Sequence, residues 1–430
     1  MKVNFFITQR LLKNQKFGFS TPIVRIAILS TGLGLSVMIV AVSVVAGFKQ
    51  GITEKLTGIV SHVQITKLSA SSSLETAPID RMPAFYQDIK TMQGVKHIQT
   101  FCIKHAILKT QMEIQGVVVK GIGDDFDWQF FQQHLLEGTV VKPMLDKSMH
   151  RGVLISKLIA ERLQIKTGDS LYVYFMRQQK RIDYLSDESP RMFYPSDSAT
   201  EIKPYAMKVG VQGIYETGMY EMDNQLILSD LTLVQQMYGW QANQVSGFEI
   251  LIDDYEKIDP ITYEIDNIVP VDLYVSNLRE NYPEIFEWLP TIDINSIIII
   301  VLMVMVSVMA MVSTLLILIL EKTNLIGILK ALGMNNASIQ KIFMYHAAYI
   351  VFQGLILGNL LGLGAAFLQM KFGFIQLDQQ SYYLSEVPVL INGYYIAILN
   401  LISFFSCILV MIFPSYLVSR ISPVQAIRID

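Results

Sequence analysis

The sequence predicts a membrane α-helical protein with a large added domain. Four transmembrane helices have both chain ends in the cytoplasm, and an α+β extracytoplasmic domain lies between helices one and two. Three observations predict this. First, 52% of the 430 residues are apolar and only 17% are charged, against about 25% charged in ordinary globular chains. Second, the mean hydropathy is +0.39 over the whole length. Third, the long apolar runs fall in a pattern of one, a polar stretch of 245 residues, then three more. Other classes are excluded by the same figures. The chain has too much to bury to be disordered. Two cysteines cannot staple it, and a net charge of −3 does not suit a basic nucleic-acid binder.

A helix rises ~1.5 Å per residue and the hydrocarbon core is ~30 Å thick, so a span takes ~20 apolar residues. Residues 26–48, 294–320, 342–370 and 387–419 each hold such a run without a charge. The polar ends of the last narrow its span to about 394–418. Charges bracket the runs: Arg25 and Lys49, Asp293 and Glu321, Lys341 and Lys371, Glu386 and Arg420. The first run is far longer than the roughly 7–15 residues of a signal-peptide core, so it reads as a retained span.

Basic residues set the orientation. Segments 1–25, 321–341 and 420–430 together hold ten basic residues and two acids. Segment 49–293 holds 23 basic and 33 acidic residues, and loop 371–386 is net −1. Both ends and the 321–341 loop are therefore expected in the cytoplasm, and 49–293 outside. Phe5, Phe6, Ile7, Leu11 and Leu12 alternate with cations before the first span. That suits a helix in the cytoplasmic membrane interface, touching lipid headgroups, as well as a plain solvated tail.

Segment 49–293 is long enough for one large or two small domains. Phe48, Ile52, Leu56, Ile59 and Val60 keep helical spacing, so the first span is expected to run outward as a stalk. Strands are expected at 63–66, 95–100, 115–120, 152–156, 170–175, 208–215, 225–228 and 247–252, and helices at 84–92, 157–163 and 230–238. Residues 177–204 are charged, with three prolines, and read as a projecting hairpin or loop. Residues 283–293 lead back to the second span as a second stalk.

Catalytic motifs are absent from the sequence. It has no Gly-Lys pair and hence no phosphate-binding P-loop, no H-E-x-x-H and no G-x-S-x-G. His97, His105, His134 and His150 lack metal-ligand spacing. Asp124, Asp125 and Asp127 lack the closing Glu of a calcium loop and read as a strand-end turn capping the next helix. No catalytic residue, metal site or cofactor is expected in this chain. The spans carry no Asp, Glu, Lys or Arg, so no charged ion pathway is visible. His346, Gln353, Asn359 and Asn400 are read as interhelical hydrogen-bonding groups. Gly354, Gly358 and Gly362 recur every four residues and form a candidate packing seam, with Ser30 and Gly34 as a weaker pair on the first span.

The 321–341 loop carries the strongest signal. Leu325, Ile328, Leu329 and Leu332 fall at helical spacing, Gly333 fits a C-terminal cap, and Asn335 or Asn336 fits the next N-cap. This predicts a short amphipathic helix on the cytoplasmic surface.

Here the residues resemble a family. "EKTNLIGILKALGMNNASI" is similar to the E-(R/K)-x-x-x-I-G-x-x-(K/R)-A-x-G signature of ABC-transporter permeases of the MacB/FtsX/LolC-LolE type. The tail "PSYLVSRISPVQAIR" resembles the family's ending through Pro414, Arg420, Pro423, Ala426, Ile427 and Arg428. "FFITQRLL", "GITEKLTGIVSHVQIT" and "GIYETGMYEMDNQLILSDL" resemble the lipoprotein-releasing LolC/LolE branch. The resemblance implies a permease of the bacterial inner membrane with its large domain in the periplasm. It implies a coupling helix seated in a separate cytoplasmic ATPase, which binds ATP and Mg. The ATPase-coupling residues would be Glu321, Lys322, Leu325, Ile326, Gly327, Leu329, Lys330 and Gly333. Further implied partners are a second permease copy or homologue, an acylated lipoprotein substrate and a periplasmic lipoprotein carrier, with no nucleic acid.

The implied work is extraction of lipoproteins from the inner membrane by mechanotransmission. Each buried CH₂ contributes ~0.8 kcal/mol, so a multiply acylated protein does not leave the bilayer unaided. Met38, Val42 and Val45 with Ile297, Val301 and Val304 are the expected substrate-contacting positions. A MacB-like exporter of peptides or small molecules, an FtsX-like regulator of a cell-wall hydrolase, and a membrane sensor without an ATPase are the alternatives.

Overall fold

A computed structural model describes residues 20–67, 76–110, 113–141, 151–180 and 200–420. Most of the expected N-terminal interfacial segment (residues 1–19), His150, the middle of the 177–204 insertion and the tail beyond Arg420 lie outside the described residues. The chain divides into two compact units. One takes Met1–Gly51, Glu287–Leu377 and Glu386–Asp430; the other takes Ile52–Phe286 and Asp378–Ser385.

The first unit is built from four long helices, Ser20–Val60, Pro283–Glu321, Asn336–Phe372 and Gly393–Arg420, of which the end of the first and the start of the second belong to the other unit. Each is long and apolar enough to cross a membrane. The first three overrun their expected spans at one or both ends, because helical spacing continues past the charges that end the apolar runs. The fourth starts at Gly393, six residues after the apolar run begins. Pro388 lies in that lead-in, and Leu390 N–H donates to the Ser43 carbonyl at 2.9 Å instead of to a helical partner.

Glycine sets how closely the first and third helices approach. An added methyl on Gly354 would sit 2.8 Å from Thr31 Cβ, and on Gly362 3.1 Å from Ile39 Cβ. The expected seam on the third helix therefore has the first helix as its partner. Gly34 serves a different face: a methyl there would meet Ser307 Oγ of the second helix at 2.5 Å. The third and fourth helices are joined by polar side chains. Asn359 Nδ2 donates to Asn400 Oδ1 at 2.7 Å, and Asn400 Nδ2 returns a bond to Asn359 Oδ1 at 3.0 Å. Gln353 instead bonds within its own helix, to Tyr349 Oη at 2.9 Å. The first and second helices are tied beyond their apolar runs by the Lys49–Asp293 ion pair and by an edge contact of Phe48 with Trp288.

The second unit holds strands β1 (Val63–Lys67), β2 (Ile79–Asp80), β3 (Val95–Lys109), β4 (Ile114–Ile122), β5 (Leu135–Gly138), β6 (Gly152–Ser156), β7 (Ser170–Lys180), β8 (Thr200–Tyr215), β9 (Leu226–Asp230), β10 (Gln244–Val245), β11 (Gly247–Ile252) and β12 (Leu273–Asn277). The main sheet runs β12-β1-β11-β3-β4-β9-β6-β8-β5, with β7 bridging β3 and β8. The β4–β9 and β6–β8 pairs are parallel and the rest antiparallel. β3 and β8 span 15 and 16 residues. They outlast their first neighbours and pair with β7 further along, so β3, β4, β9, β6, β8 and β7 close into a circuit. Helix Leu231–Tyr238 lies on β3, β4, β7 and β9 and buries Leu231, Leu233, Val234 and Met237.

All eleven expected strands and helices of this unit recur, most with small shifts of bounds, while β3, β7 and β8 run well past their expected ends. The 177–204 insertion begins and ends as the arms of the β7–β8 hairpin, paired in register from Ser170↔Gly210 to Lys180↔Thr200. Helices Tyr220–Asp223, Ile258–Ile268 and Leu278–Asn281 and strands β2, β5, β10 and β12 lie outside that expectation, although Ile258, Ile261 and Ile265 do keep helical spacing. The acidic run does hold a turn. Asp125 accepts from Thr100 N at 2.9 Å, and Asp127 Oδ1 accepts from Gln129 N at 3.0 Å at the start of the next helix. Among the described residues no cluster suits a metal ion, and Cys102 and Cys407 are buried thiols.

Candidate functional site in the loop between the second and third membrane helices

The loop forms one helix, Thr323–Ala331, between the ends of two spans. Its start is set by a break at Lys322, whose ammonium pairs with Glu321 at 2.8 Å. Its end is a Schellman motif. Gly333 has φ +87°, a left-handed conformation that costs glycine little. Gly333 N–H returns to the Lys330 carbonyl at 3.0 Å and Met334 N–H to Leu329 at 3.0 Å. Asn335 then caps the third membrane helix, accepting from Ser338 N at 2.9 Å. Gly333 and Asn335 thus hold the roles their positions in the sequence imply.

The helix is apolar on two sides. Ile326 and Gly327 are buried, and Leu329 and Met334 pack on the same membrane-unit core. Ile328 is 47% exposed and Leu332 is 78% exposed. Asn324 and Ala331 are exposed beside them, at helical spacing. Of the eight expected coupling residues, Ile326 and Gly327 therefore face inward and anchor the helix. Leu325, Leu329, Lys330, Glu321 and Lys322 are half-buried, and Gly333 is exposed. The outward apolar face belongs to Ile328 and Leu332, which were absent from the eight. The available signal was an apolar count too high for one face: a helix that only rests on its own spans needs a single stripe.

The six expected substrate positions are not gathered into one surface. Met38 is buried among the helices at 1% exposure, Val42, Val45 and Val304 are half-buried, and Ile297 and Val301 are exposed. On the first helix the exposed apolar residues are Ile26, Leu29, Leu33 and Val37. On the second they include Ile298, Leu302 and Met305 beside Ile297 and Val301. The three glycines of the seam are all buried.

Residues 297–423 match the FtsX-like permease C-terminal family model. The chain is 22% identical to the lipoprotein-releasing system transmembrane protein LolC of Neisseria meningitidis serogroup B, over 98% of this chain and 97% of the relative. It is 23% identical to the corresponding LolE of Haemophilus influenzae, over 84% of this chain and 82% of the relative. Among solved structures, the periplasmic region of MacB from Actinobacillus actinomycetemcomitans aligns with 55% of this chain and 97% of its own length, at 12% identity and a TM-score of 0.32.

Proposed function

We propose that this chain, a multi-pass LolC/LolE-like permease of the bacterial inner membrane, is the membrane subunit of an ABC transporter that releases lipoproteins. One observation carries the reading: a short helix between two spans, closed at its end by the Gly333 turn, keeps Ile328 and Leu332 outside its own core. An apolar face there suits a protein partner. The basic excess of the chain ends and of this loop supports a cytoplasmic location, where an ATPase is available. ATP and Mg would belong to that ATPase. This chain's part is to carry force.

The force path rests on helix continuity. The first helix runs unbroken from Ser20 to Val60, and the second extends from Pro283 to Glu321 with Pro290 inside it, before its apolar run. Both therefore extend well beyond the ~20 residues a bilayer requires. Movement of the 323–331 helix tilts the second helix directly, and the Lys49–Asp293 pair passes that tilt to the first. The outer unit then moves with the helix ends. Lipoprotein acyl chains would leave the bilayer along the apolar second helix, whose Ile297 and Val301 are exposed. The similarity to LolC and LolE, over nearly the whole chain, supports lipoprotein as the cargo.

The test is gentle purification from native membranes with mass spectrometry of what co-elutes. An ATPase together with acylated lipoproteins supports the reading. An ATPase with peptides or small molecules instead of lipoproteins transfers the chain to export. No ATPase, in a preparation shown to be intact, removes the transporter reading altogether.

A further inference from the structure

The last turn of an α-helix leaves carbonyls without partners and carries partial negative charge. The first long helix ends inside the outer unit at Val60, and Ser61 turns the chain out with φ +65°. Two of its terminal carbonyls are met by side chains from the sheet. Lys120 Nζ on β4 donates to the Ile59 carbonyl at 2.9 Å. Gln64 Nε2 on β1 donates to the Val60 carbonyl at 3.1 Å.

Both donors converge on one carboxylate. Lys120 Nζ also donates to Glu249 Oε1 on β11 at 2.6 Å, and Gln64 Nε2 approaches the same oxygen at 3.3 Å. Gln99 Nε2 on β3 donates to Glu249 Oε2 at 2.9 Å, while its own Oε1 accepts from Asp127 N at 3.1 Å. The Lys120 and Glu249 side chains are 2% and 1% exposed. Gly58 completes the fit: a methyl there would fall 2.1 Å from the Phe130 ring, so the ring packs directly against the helix at that glycine. Tyr282, which opens the second long helix, lies close enough to feel Glu249. Burial first, and that charge second, push its hydroxyl up to about 12.

A buried ion pair is a poor way to gain stability, because apolar residues of similar volume often do as well or better. Its distinguishing property is direction. Apolar contact is non-directional and lets a helix slide or rotate. A short charge-assisted bond to a backbone carbonyl fixes both register and rotation. We infer that Lys120 is a positioning residue, which with Glu249 locks the end of the first membrane helix to the outer sheet so that the two move as one body. This rests on the reading above that ATP-driven motion travels along that helix.

The experiment uses the full-length chain in complex with its ATPase, in lipid nanodiscs. Spin labels at exposed Glu54 and Lys109 report helix against sheet, both inside the outer unit. The native cysteines are buried and are spared by the labelling. Wild type should give the same narrow distance distribution without nucleotide and with ATP plus vanadate. Lys120→Met with Glu249→Met removes both charges together. It should keep ATP hydrolysis within about twofold, broaden the distribution about twofold under nucleotide, and lower lipoprotein release per ATP by roughly tenfold. A variant that keeps the narrow distribution and normal release per ATP would overturn the inference. If the methionine pair is not monodisperse, Lys120→Gln with Glu249→Gln takes its place with the same two outcomes. Absence of ATP-driven release from wild type would count against the transport reading instead, while the comparison of label distributions still decides the joint.

Discussion

The backbone carbonyl of Gly32 lies where a side chain on Gly358 would begin: a methyl there would sit 2.7 Å from that oxygen. Real carbon–oxygen contacts do not close that far without backbone movement. Since lipid tails are as apolar as leucine, membrane helices associate through close packing, and small residues permit it. The first and third helices depend on this approach along three successive turns.

Gly358→Leu should therefore destabilise the membrane unit by about 1–3 kcal/mol, the usual cost of overpacking. Gly364, two residues beyond the seam, has nothing within 4 Å of an added methyl. Gly364→Ala should leave the protein unchanged. Thermal unfolding of both variants in detergent checks this; equal melting temperatures would place the seam's contribution elsewhere.

The Asn359–Asn400 pair predicts a non-additive cycle. Either single change to Leu leaves the other amide short of an interhelical partner, although each also bonds its own helix, to the Leu355 and Ile396 carbonyls at 2.8 Å. The coupling between them should be about 0.6–2 kcal/mol, as for hydrogen bonds between membrane helices. Unfolding of the two singles and the double measures it, and strict additivity would show the amides to be independent.

Ile328→Glu and Leu332→Glu each place a charge on the outward face of the 323–331 helix. Binding of the proposed ATPase partner should weaken by roughly tenfold or more, which corresponds to about 1.4 kcal/mol. Because both residues are exposed, the chain itself should fold and insert normally. Pull-down with matched membrane expression is the measurement. Retained binding in both variants would mean that this face is not the contact.

His62 predicts an acid sensitivity of the outer unit. Burial first, and the nearby Lys96 charge second, lower its pKa to about 4 from 6.5. A histidine that is harder to protonate when folded favours the unfolded chain as protons become available. Its effect is absent above pH 6.5 and grows as pH falls toward about 4, at up to about 1.4 kcal/mol per pH unit. Below that the loss levels off. His62→Gln should flatten this part of the pH–stability curve. A curve for the variant with the wild-type slope between pH 6.5 and 4 would assign the sensitivity to other groups.

The sequence by itself determined what is local. The four apolar runs, the Gly333 stop and Asn335 start around the 323–331 helix, and most strands of the outer unit follow from hydropathy, caps and periodicity, which act over a few neighbouring residues. Where an element lacked such a signal, as in β5, pairing made it: Leu135–Gly138 is a strand because β8 lies beside it. Tertiary structure alone decided which faces are turned where. The glycine stripe was visible, but its partner helix was not. Ile326 and Ile328 are equally apolar, and only packing against the membrane core turned the first inward and left the second outside. Lys120 and Glu249 stand 129 residues apart. No spacing rule joins them, because their meeting depends on the path of four strands and on a helix end whose unpaired carbonyls exist only once the chain has folded.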